Sequence, residues 1–336
     1  MKNGILFGRY LPLHRGHMFH ILTAATLCDK LFVFVMEDYQ RDKQICEDNH
    51  IDYIEGKLRW RWLCEQLQDM SHIKIQLIEC PHNNYQLIEQ KVLETVQDVD
   101  VMFVKKEADL DRYQAIFKQA VHYVLPNRSL RFPLTSKDIL LKPLTNWNYI
   151  VGSSRTHFVK KILITGTESC GKTTLIKSLG KFYNTSWCEE VGRFYNRDYM
   201  GGNENVYTDY DFSRMSWLQK EAELEVYRSA NKIAFVDTDA VVNQYYSQLY
   251  LGHDNDIIES IISLQKYDLI IMLSPDTKWV DDGQRLNGDQ NKREMLHEHL
   301  KKMYIDRGFS IVEICGNYNE RLNKAISIVD ELLEKW

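Results

Sequence analysis

The chain has 336 residues, 44% hydrophobic and 26% charged, with a formal net charge of −5. That apolar share can build a buried core and excludes disordered and collagen-like classes, while the acidic balance gives no general attraction to nucleic acid or anionic membrane. The length suits two domains, no apolar run approaches the roughly 20 residues of a transmembrane helix, and the N-terminus is unlike a signal peptide. Seven cysteines, at 28, 46, 64, 80, 170, 188 and 315, include no C-x-x-C pair. Reduced thiols in the cytoplasm are therefore expected, and a disulfide framework or zinc ribbon is not.

In chain order, short β-branched and aromatic runs alternate with longer amphipathic stretches, the pattern of parallel α/β domains. Strands are predicted over residues 4–7, 31–36, 73–78 and 101–104, with helices over 52–68 and 84–96. The second half repeats the style, with strands over 162–165, 233–237, 269–273 and 310–314. Its helices are predicted over 172–182, 210–229 and 319–336, the second opened by Thr208-x-x-Asp211 as a capping box. The halves show no self-similarity. Gly152, Ser153, Ser154 and Arg155 interrupt the periodic pattern, which places one domain over residues 1–150, a connector over 151–160 and a second domain over 161–336.

The first half opens with a strand that runs into Gly8-Arg9-Tyr10-Leu-Pro-Leu-His14-Arg15-Gly16-His17. Two histidines separated by a short glycine-containing loop can face one pocket and donate to phosphate oxygens, stabilising charge as pyrophosphate leaves an attacked α-phosphate. No nearby cysteine or carboxylate completes a metal set.

In the second half, Gly166-Thr-Glu168-Ser169-Cys170-Gly171-Lys172-Thr173 fits the phosphate-binding pattern G-x-x-x-x-G-K-[ST], between a strand and a helix. Its glycines let backbone N–H groups curl around phosphate oxygens, Lys172 can reach the outer phosphates, and the Thr173 hydroxyl can ligate Mg²⁺. Asp237 ends an apolar strand in the manner of a magnesium-holding carboxylate, and Asp239 follows as a second carboxylate or a helix cap. Guanine-reading Asn-Lys-x-Asp is absent, which disfavours a switch GTPase. Glu189, Glu190 and Arg193 fall where the second strand should end, and a carboxylate there can accept a hydroxyl proton. The glycine-containing stretch from Asp281 through Asp282 to Arg285, followed by Arg293, has the composition of a lid that brings guanidinium groups to a transferring phosphoryl. His297 and His299, two apart on a helix, are expected to diverge at the surface. Cys170, inside the loop, is expected to make it sensitive to oxidation.

These motifs together resemble the NadR family of bifunctional NAD-salvage proteins. In that family an adenylyltransferase domain of the nucleotidyltransferase class precedes a ribosylnicotinamide kinase domain. The resemblance covers nearly the whole chain. Gly166-Thr-Glu-Ser-Cys-Gly-Lys-Thr-Thr174 looks like the family's P-loop, and Glu190-Val-Gly-Arg193-Phe-Tyr195 is similar to its Glu-Tyr-Ala-Arg-Glu-Tyr segment. Val236-Asp237-Thr-Asp239, Tyr250-Leu-Gly252, Trp279-Val-Asp-Asp282-Gly-Gln-Arg285 and Gly316-Asn-Tyr-Asn-Glu-Arg321 also fit. In the first half, the segment from Gly8 to His17 and Leu58-Arg59-Trp60 agree. The family's later Ile-Ser-x-Thr-x-x-Arg motif falls on Leu134-Thr-Ser-Lys-Asp-Ile-Leu140, with Lys137 for Thr and Leu140 for Arg. Lys105, Lys106 and Lys137 are the candidates to restore the missing charge.

The resemblance implies an α/β chain in which a Rossmann-like nucleotidyltransferase domain is followed by a P-loop kinase domain, both with parallel sheets. It implies ATP- and Mg²⁺-dependent phosphorylation of nicotinamide riboside to NMN by the second domain. ATP would be held by Gly166, Glu168, Ser169, Gly171, Lys172, Thr173 and Thr174, and the metal by Thr173 and Asp237. Arg285 and Arg293 would close over the transferred group, and Glu190, Arg193, Tyr195, Asp239, Trp279 and Asp282 would meet the riboside. Whether Glu190 or Asp239 is the base stays open. In the first domain Gly8, Arg9, Tyr10, His14, Gly16 and His17 would hold ATP for transfer of its adenylyl group to NMN, giving NAD. A nucleotide-sensing role without turnover is the alternative there. The family's helix-turn-helix segment precedes the Gly8 element, so no repressor function is expected. Homo-oligomerisation and the choice between ATP and GTP are left open.

Overall fold

Among the described residues two five-stranded sheets form, with orders β3-β2-β1-β4-β5 and β10-β9-β6-β8-β7. Every strand pairing in them is parallel. The computed structural model describes residues 2–203, 206–276 and 290–336. Contacts divide the chain into two units, Met1–Phe158 and Val159–Lys335.

The first unit runs β1 (Asn3–Gly8), α1 (Arg15–Ala25), β2 (Lys30–Glu37), α2 (Tyr39–Asp48), α3 (Gly56–Gln66), β3 (Ile73–Glu79), α4 (Tyr85–Thr95), β4 (Val101–Val104), α5 (Leu110–Ile116), β5 (Val121–Val124), α6 (Ser136–Leu141) and α7 (Gly152–Arg155). Its central strands read as continuous apolar runs because both faces are covered, as parallel sheets require. Ile5, Phe7, Phe32, Phe34, Met102 and Val104 pack with Ile88 and Val92 of α4 in one core cluster. Truncating one of its phenylalanines to alanine would cost about 3–5 kcal/mol. The strand order reverses between β1 and β4, and ligands of such sheets bind at the carboxyl ends of the strands flanking that reversal. Gly8 and Lys105 stand there.

The second unit runs β6 (Lys160–Thr165), α8 (Lys172–Phe182), β7 (Trp187–Cys188), α9 (Val191–Tyr199), α10 (Asp209–Ser229), β8 (Ile233–Asp237), α11 (Ala240–Leu251), α12 (Asp256–Ile262), β9 (Leu269–Leu273), α13 (Gln290–Asp306), β10 (Val312–Ile314) and α14 (Tyr318–Glu334). Strand β6 is central and delivers the glycine-rich loop. Ile162, Ile164, Phe235 and Ile271 pack with Leu175 and Leu179 of α8 and Val329 of α14 in a second core cluster.

Several boundaries differ from expectation for visible reasons. The helix predicted from residue 52 starts at Gly56, because the Glu37 carboxylate accepts from the Tyr53 hydroxyl and the Gly56 N–H, both at 2.5 Å, and holds the approach extended. Helix α10 begins at Asp209 behind its capping box, where Asp211 accepts from the Thr208 N–H at 2.9 Å and hydroxyl at 2.6 Å. Residues 151–160, expected to connect domains, are divided: α7 belongs to the first unit, where Ser154 Oγ donates to Leu13 O at 2.9 Å, and Lys160 opens β6. Strand β5 escaped the sequence reading because it is a short edge with Val121 exposed. All seven cysteines are free. Among the described residues no helix is long and apolar enough to cross a membrane.

Candidate active sites

In the second unit the chain leaves β6 through Gly166 (φ 141°), Ser169 (φ 60°) and Gly171 (φ 88°). A Cβ on Gly166 would lie 2.8 Å from both Cys170 Sγ and Leu273 O, so only glycine fits this turn. The Lys172 ammonium donates to Gly166 O at 2.9 Å and Thr167 O at 3.1 Å, across the concave side of the loop. Thr173 Oγ1 donates to Asp237 Oδ2 at 2.7 Å. Burial, with the nearby Glu190 charge added, lifts Asp237 to about 6 against the opposing pull of Lys172. Gln219 of α10 ties the parts together, donating to Asp237 O at 3.2 Å and accepting from Val191 N at 2.9 Å.

A cavity opens beside the loop. Glu168, Ser169, Lys172, Glu190 and Arg193 reach it from the loop and from the start of α9. Asn196 and Asn243 add amides, and Tyr207, Phe212, Tyr246 and Tyr250 form an aromatic wall. Arg193 lies 3.6 Å from the Glu190 carboxylate.

The other expected site residues divide clearly. Asp239 is fully buried as the N-cap of α11; its carboxylate accepts from Val242 N at 3.2 Å, the Tyr304 hydroxyl at 2.6 Å and Gln265 Nε2 at 2.7 Å. Burial lifts it to about 7 against those bonds. Tyr195 is also buried, donating to Asp211 at 2.8 Å, and does not line the cavity. Arg293 is buried on α13 beside Thr167 and Glu168. Trp279, Asp282 and Arg285 lie outside the described residues.

Two expectations are corrected. His297 is buried, 2.8 Å from the Glu313 carboxylate, because α13 turns that face onto β10; only His299 is exposed. The Cys170 thiol is fully buried, donates to Thr167 O at 3.0 Å, and is pushed up by burial, which makes it a poor target for oxidants.

The donors suit Mg²⁺. A threonine hydroxyl and a buried carboxylate in contact are hard oxygen ligands, and a cation there would satisfy the charge that burial disfavours. Among the described residues no group of three His, Cys, Asp or Glu side chains stands together as a metal-holding cluster.

The first unit builds its site from side chains. His14 caps α1, its Nδ1 accepting from Gly16 N at 3.1 Å, and its Nε2 lies 3.2 Å from Ser136 Oγ. The His14 and His17 rings stack at 3.8 Å, with Tyr10 edge-on to His17 at 5.0 Å. Lys105, one residue past β4, lies over the Tyr10 ring at 5.2 Å. Burial, then the charges of Arg128 and Lys105, lower His14 to about 3, and burial takes His17 well below its usual value. Burial, with Arg128 added, lowers Lys105 to about 8. Gly8 is held bare by the Tyr10 ring, which a Cβ would overlap. Arg9 pairs with Asp42 at 2.9 Å, and buried Arg59 binds the same carboxylate at 2.7 Å and Arg9 O at 2.8 Å. Of the lysines offered as replacement charge, Lys105 is in the cluster, while Lys106 and Lys137 are exposed. Leu140 is a core residue.

Comparison with known proteins agrees along the chain. A family model described as an AAA domain matches residues 161–321. The "Trifunctional NAD biosynthesis/regulator protein NadR" of Escherichia coli is 28% identical over 345 residues, spanning 98% of this chain and 83% of the relative. Its Salmonella typhimurium counterpart is 28% identical over 346 residues with the same coverage. A crystal structure of NadR in complex with NR superposes with TM-score 0.82 at 26% identity, covering 99% of this chain and 97% of that one. The chain is thus similar to NadR along nearly its whole length. A second NadR crystal structure, in complex with NAD and AMP-PNP, shares the fold with TM-score 0.79 at 24% identity, over 99% and 96% of the two chains.

Within this NadR-like frame, the roles of some residues at or behind the cavity were not visible in the sequence. Asn196 and Asn243 are isolated amides with no motif around them. Gln219 is one polar residue among many on α10. The Tyr246 and Tyr250 pair is spaced by one helical turn, a signal that could have marked an aromatic wall.

Proposed function

We propose that the Val159–Lys335 unit transfers the γ-phosphoryl group of ATP to the 5′-hydroxyl of nicotinamide riboside, giving NMN within NAD salvage. The observation that carries this reading is one cleft lined by Lys172, Glu190 and an aromatic wall, with the hydrogen-bonded Thr173–Asp237 pair next to Lys172 at the start of α8. Phosphates fit the loop, and the cationic pyridinium ring of the riboside suits aromatic faces beside carboxylates. The relative crystallised with NR supports that ligand.

The riboside oxygen forms a bond to the γ-phosphorus, its proton passes to Glu190, and the bond from the γ-phosphorus to the bridging oxygen breaks as ADP departs. Glu190 is the better base because Asp239 already accepts three hydrogen bonds in the core. Lys172 and the loop N–H groups hold the phosphates, so the protein's contribution is positioning and charge stabilisation. Mg²⁺, held by Thr173 and Asp237, would neutralise phosphate charge when bound.

A product assay with nicotinamide riboside, ATP and Mg²⁺ tests this. Glu190→Gln should lower kcat about 10²–10⁴-fold. A Glu190→Gln enzyme making NMN at the parental rate would remove Glu190 from the base role.

A second reading concerns the Met1–Phe158 unit, where the stacked histidines beside Lys105 favour attack of the NMN phosphate oxygen on the α-phosphorus of ATP. The new phosphorus–oxygen bond gives NAD, the α–β bond breaks, and pyrophosphate leaves. NAD formed from NMN and ATP supports transfer; nucleotide binding without NAD would instead make this unit a sensor.

A further inference from the structure

The family pattern assigns a guanidinium to position 140, where this chain has a buried leucine. A different arginine occupies the neighbourhood of the histidine pair. Arg128 sits in the loop between β5 and α6, and its guanidinium lies over the first turn of α1 so closely that a Cβ on Gly16 would overlap it. The same Cβ would lie 3.0 Å from His14 Cε1, so Arg128 and His14 meet at one bare residue. Arg128 Nη1 makes a long 3.4 Å bond to Leu134 O, a weak tether that leaves the fork available.

The loop that carries Arg128 is fastened to α1. Phe132 packs on Phe19 with ring centroids 5.8 Å apart, Arg15 lies over Phe132 at 5.6 Å, and Arg131 lies over Phe19 at 5.7 Å. His20 Nε2 lies 3.2 Å from Pro126 O, and Asn127 Oδ1 accepts from Ser129 N at 2.9 Å. The arginine is therefore presented, not trailing.

What surrounds it is cationic or neutral: His14, His17 and His20 on and before α1, and Lys105 from the end of β4. Asp109 is the carboxylate near Lys105, and Asp138 is committed to Thr135 at 2.6 and 2.7 Å. Two buried polar atoms here, Tyr10 Oη and His17 Nδ1, have no hydrogen-bond partner among the described residues. Buried polar groups left unpaired beside the Lys105 and Arg128 cations mark a place that an anion would complete.

We infer that Arg128 supplies the guanidinium of a polyphosphate subsite in the first unit, acting with Lys105 across the stacked His14 and His17. The ligand class is an anion with adjacent phosphates, a nucleoside triphosphate or pyrophosphate. The inference rests on the first unit being a phosphate-handling site, and it replaces position 140 with an arginine twelve residues upstream. Arginine is required because its planar fork can bridge two phosphate oxygens, which a lysine cannot.

Calorimetry with inorganic tripolyphosphate tests it, using the full chain carrying Lys172→Ala to silence the other phosphate loop. Arg128→Ala should weaken binding about 10–100-fold, as expected for lost charge-assisted bonds. Arg128→Lys should recover only part of that loss, and exposed Lys137→Ala should bind within about twofold of the parent, since solvated charges contribute little. Arg128→Ala should also raise the KM for ATP in NAD formation while leaving that for NMN unchanged. Parental binding in Arg128→Ala together with lost binding in His17→Ala would overturn the arginine and leave the histidine site standing. A parent that binds no tripolyphosphate overturns both. Arg128-dependent binding in a protein that forms no NAD supports the subsite and removes adenylyl transfer.

Discussion

On the proposed functions, the two units would meet phosphate in opposite ways. The second builds its cradle from backbone: glycine-dependent turns aim N–H groups, and one ammonium crosses the loop. The first builds from side chains drawn from α1, the end of β4 and the loop before α6, around two rings stacked at 3.8 Å. A backbone cradle depends on a short contiguous motif, because the turn itself makes the site. A side-chain cluster depends on where distant segments are packed, so its members can move in sequence while the chemistry stays.

The sharpest way to break this contrast is to disable one site and read both products. Lys172→Ala should reduce NMN formation from the riboside about 10³-fold or more, and His17→Ala should reduce NAD formation from NMN about 10²–10³-fold. Each loss should fall on its own product. Equal losses of both products in either variant would mean that the sites do not act separately.

Next in size is Arg321, which holds the backbone cradle in place. Its buried guanidinium donates to Cys170 O, to Ser274 O and Gly316 O at 2.7 Å each, and to the Asp276 carboxylate. Arg321→Met strands those acceptors and should cost about 3–5 kcal/mol, read as a lower unfolding midpoint of the second unit. An unchanged midpoint would show that the cradle is self-supporting.

The most gradual effect is a pH slope. His14 titrates near 3 when folded, far below 6.5, because burial and its cationic neighbours oppose its charge. Below pH 6.5 the unfolded chain takes up that proton and the folded one does not, so stability falls as pH drops from 6.5 toward 3. The slope contribution approaches about 1.4 kcal/mol per pH unit, and His14→Gln should flatten it in urea titrations across that range. A slope unaltered by His14→Gln would move the cost to other groups.

The same contrast explains what could be read in advance. Both parallel sheets were legible because buried strands such as Ile233–Asp237 are continuous apolar runs. The loop from Gly166 to Thr173 was legible because it is contiguous. His297 was misplaced because two-residue spacing on a helix says nothing about which face meets a strand. Helix α2 was missed because it is strongly polar, with Asp42 and Cys46 as its buried residues. The wall of Tyr207, Phe212, Tyr246 and Tyr250 comes from three segments that only folding brings together. Arg128 was out of reach for the same reason.

The Arg321 clasp has a consequence for the order in which the protein becomes competent. The phosphate loop is encoded at the middle of the chain, yet its Cys170 carbonyl is held by a side chain of α14. During synthesis the loop therefore emerges long before its clasp. A nascent chain ending within α13 carries the entire motif and lacks the guanidinium that locks it. A truncation that spares every residue of the motif but stops short of Arg321 would still remove its lock.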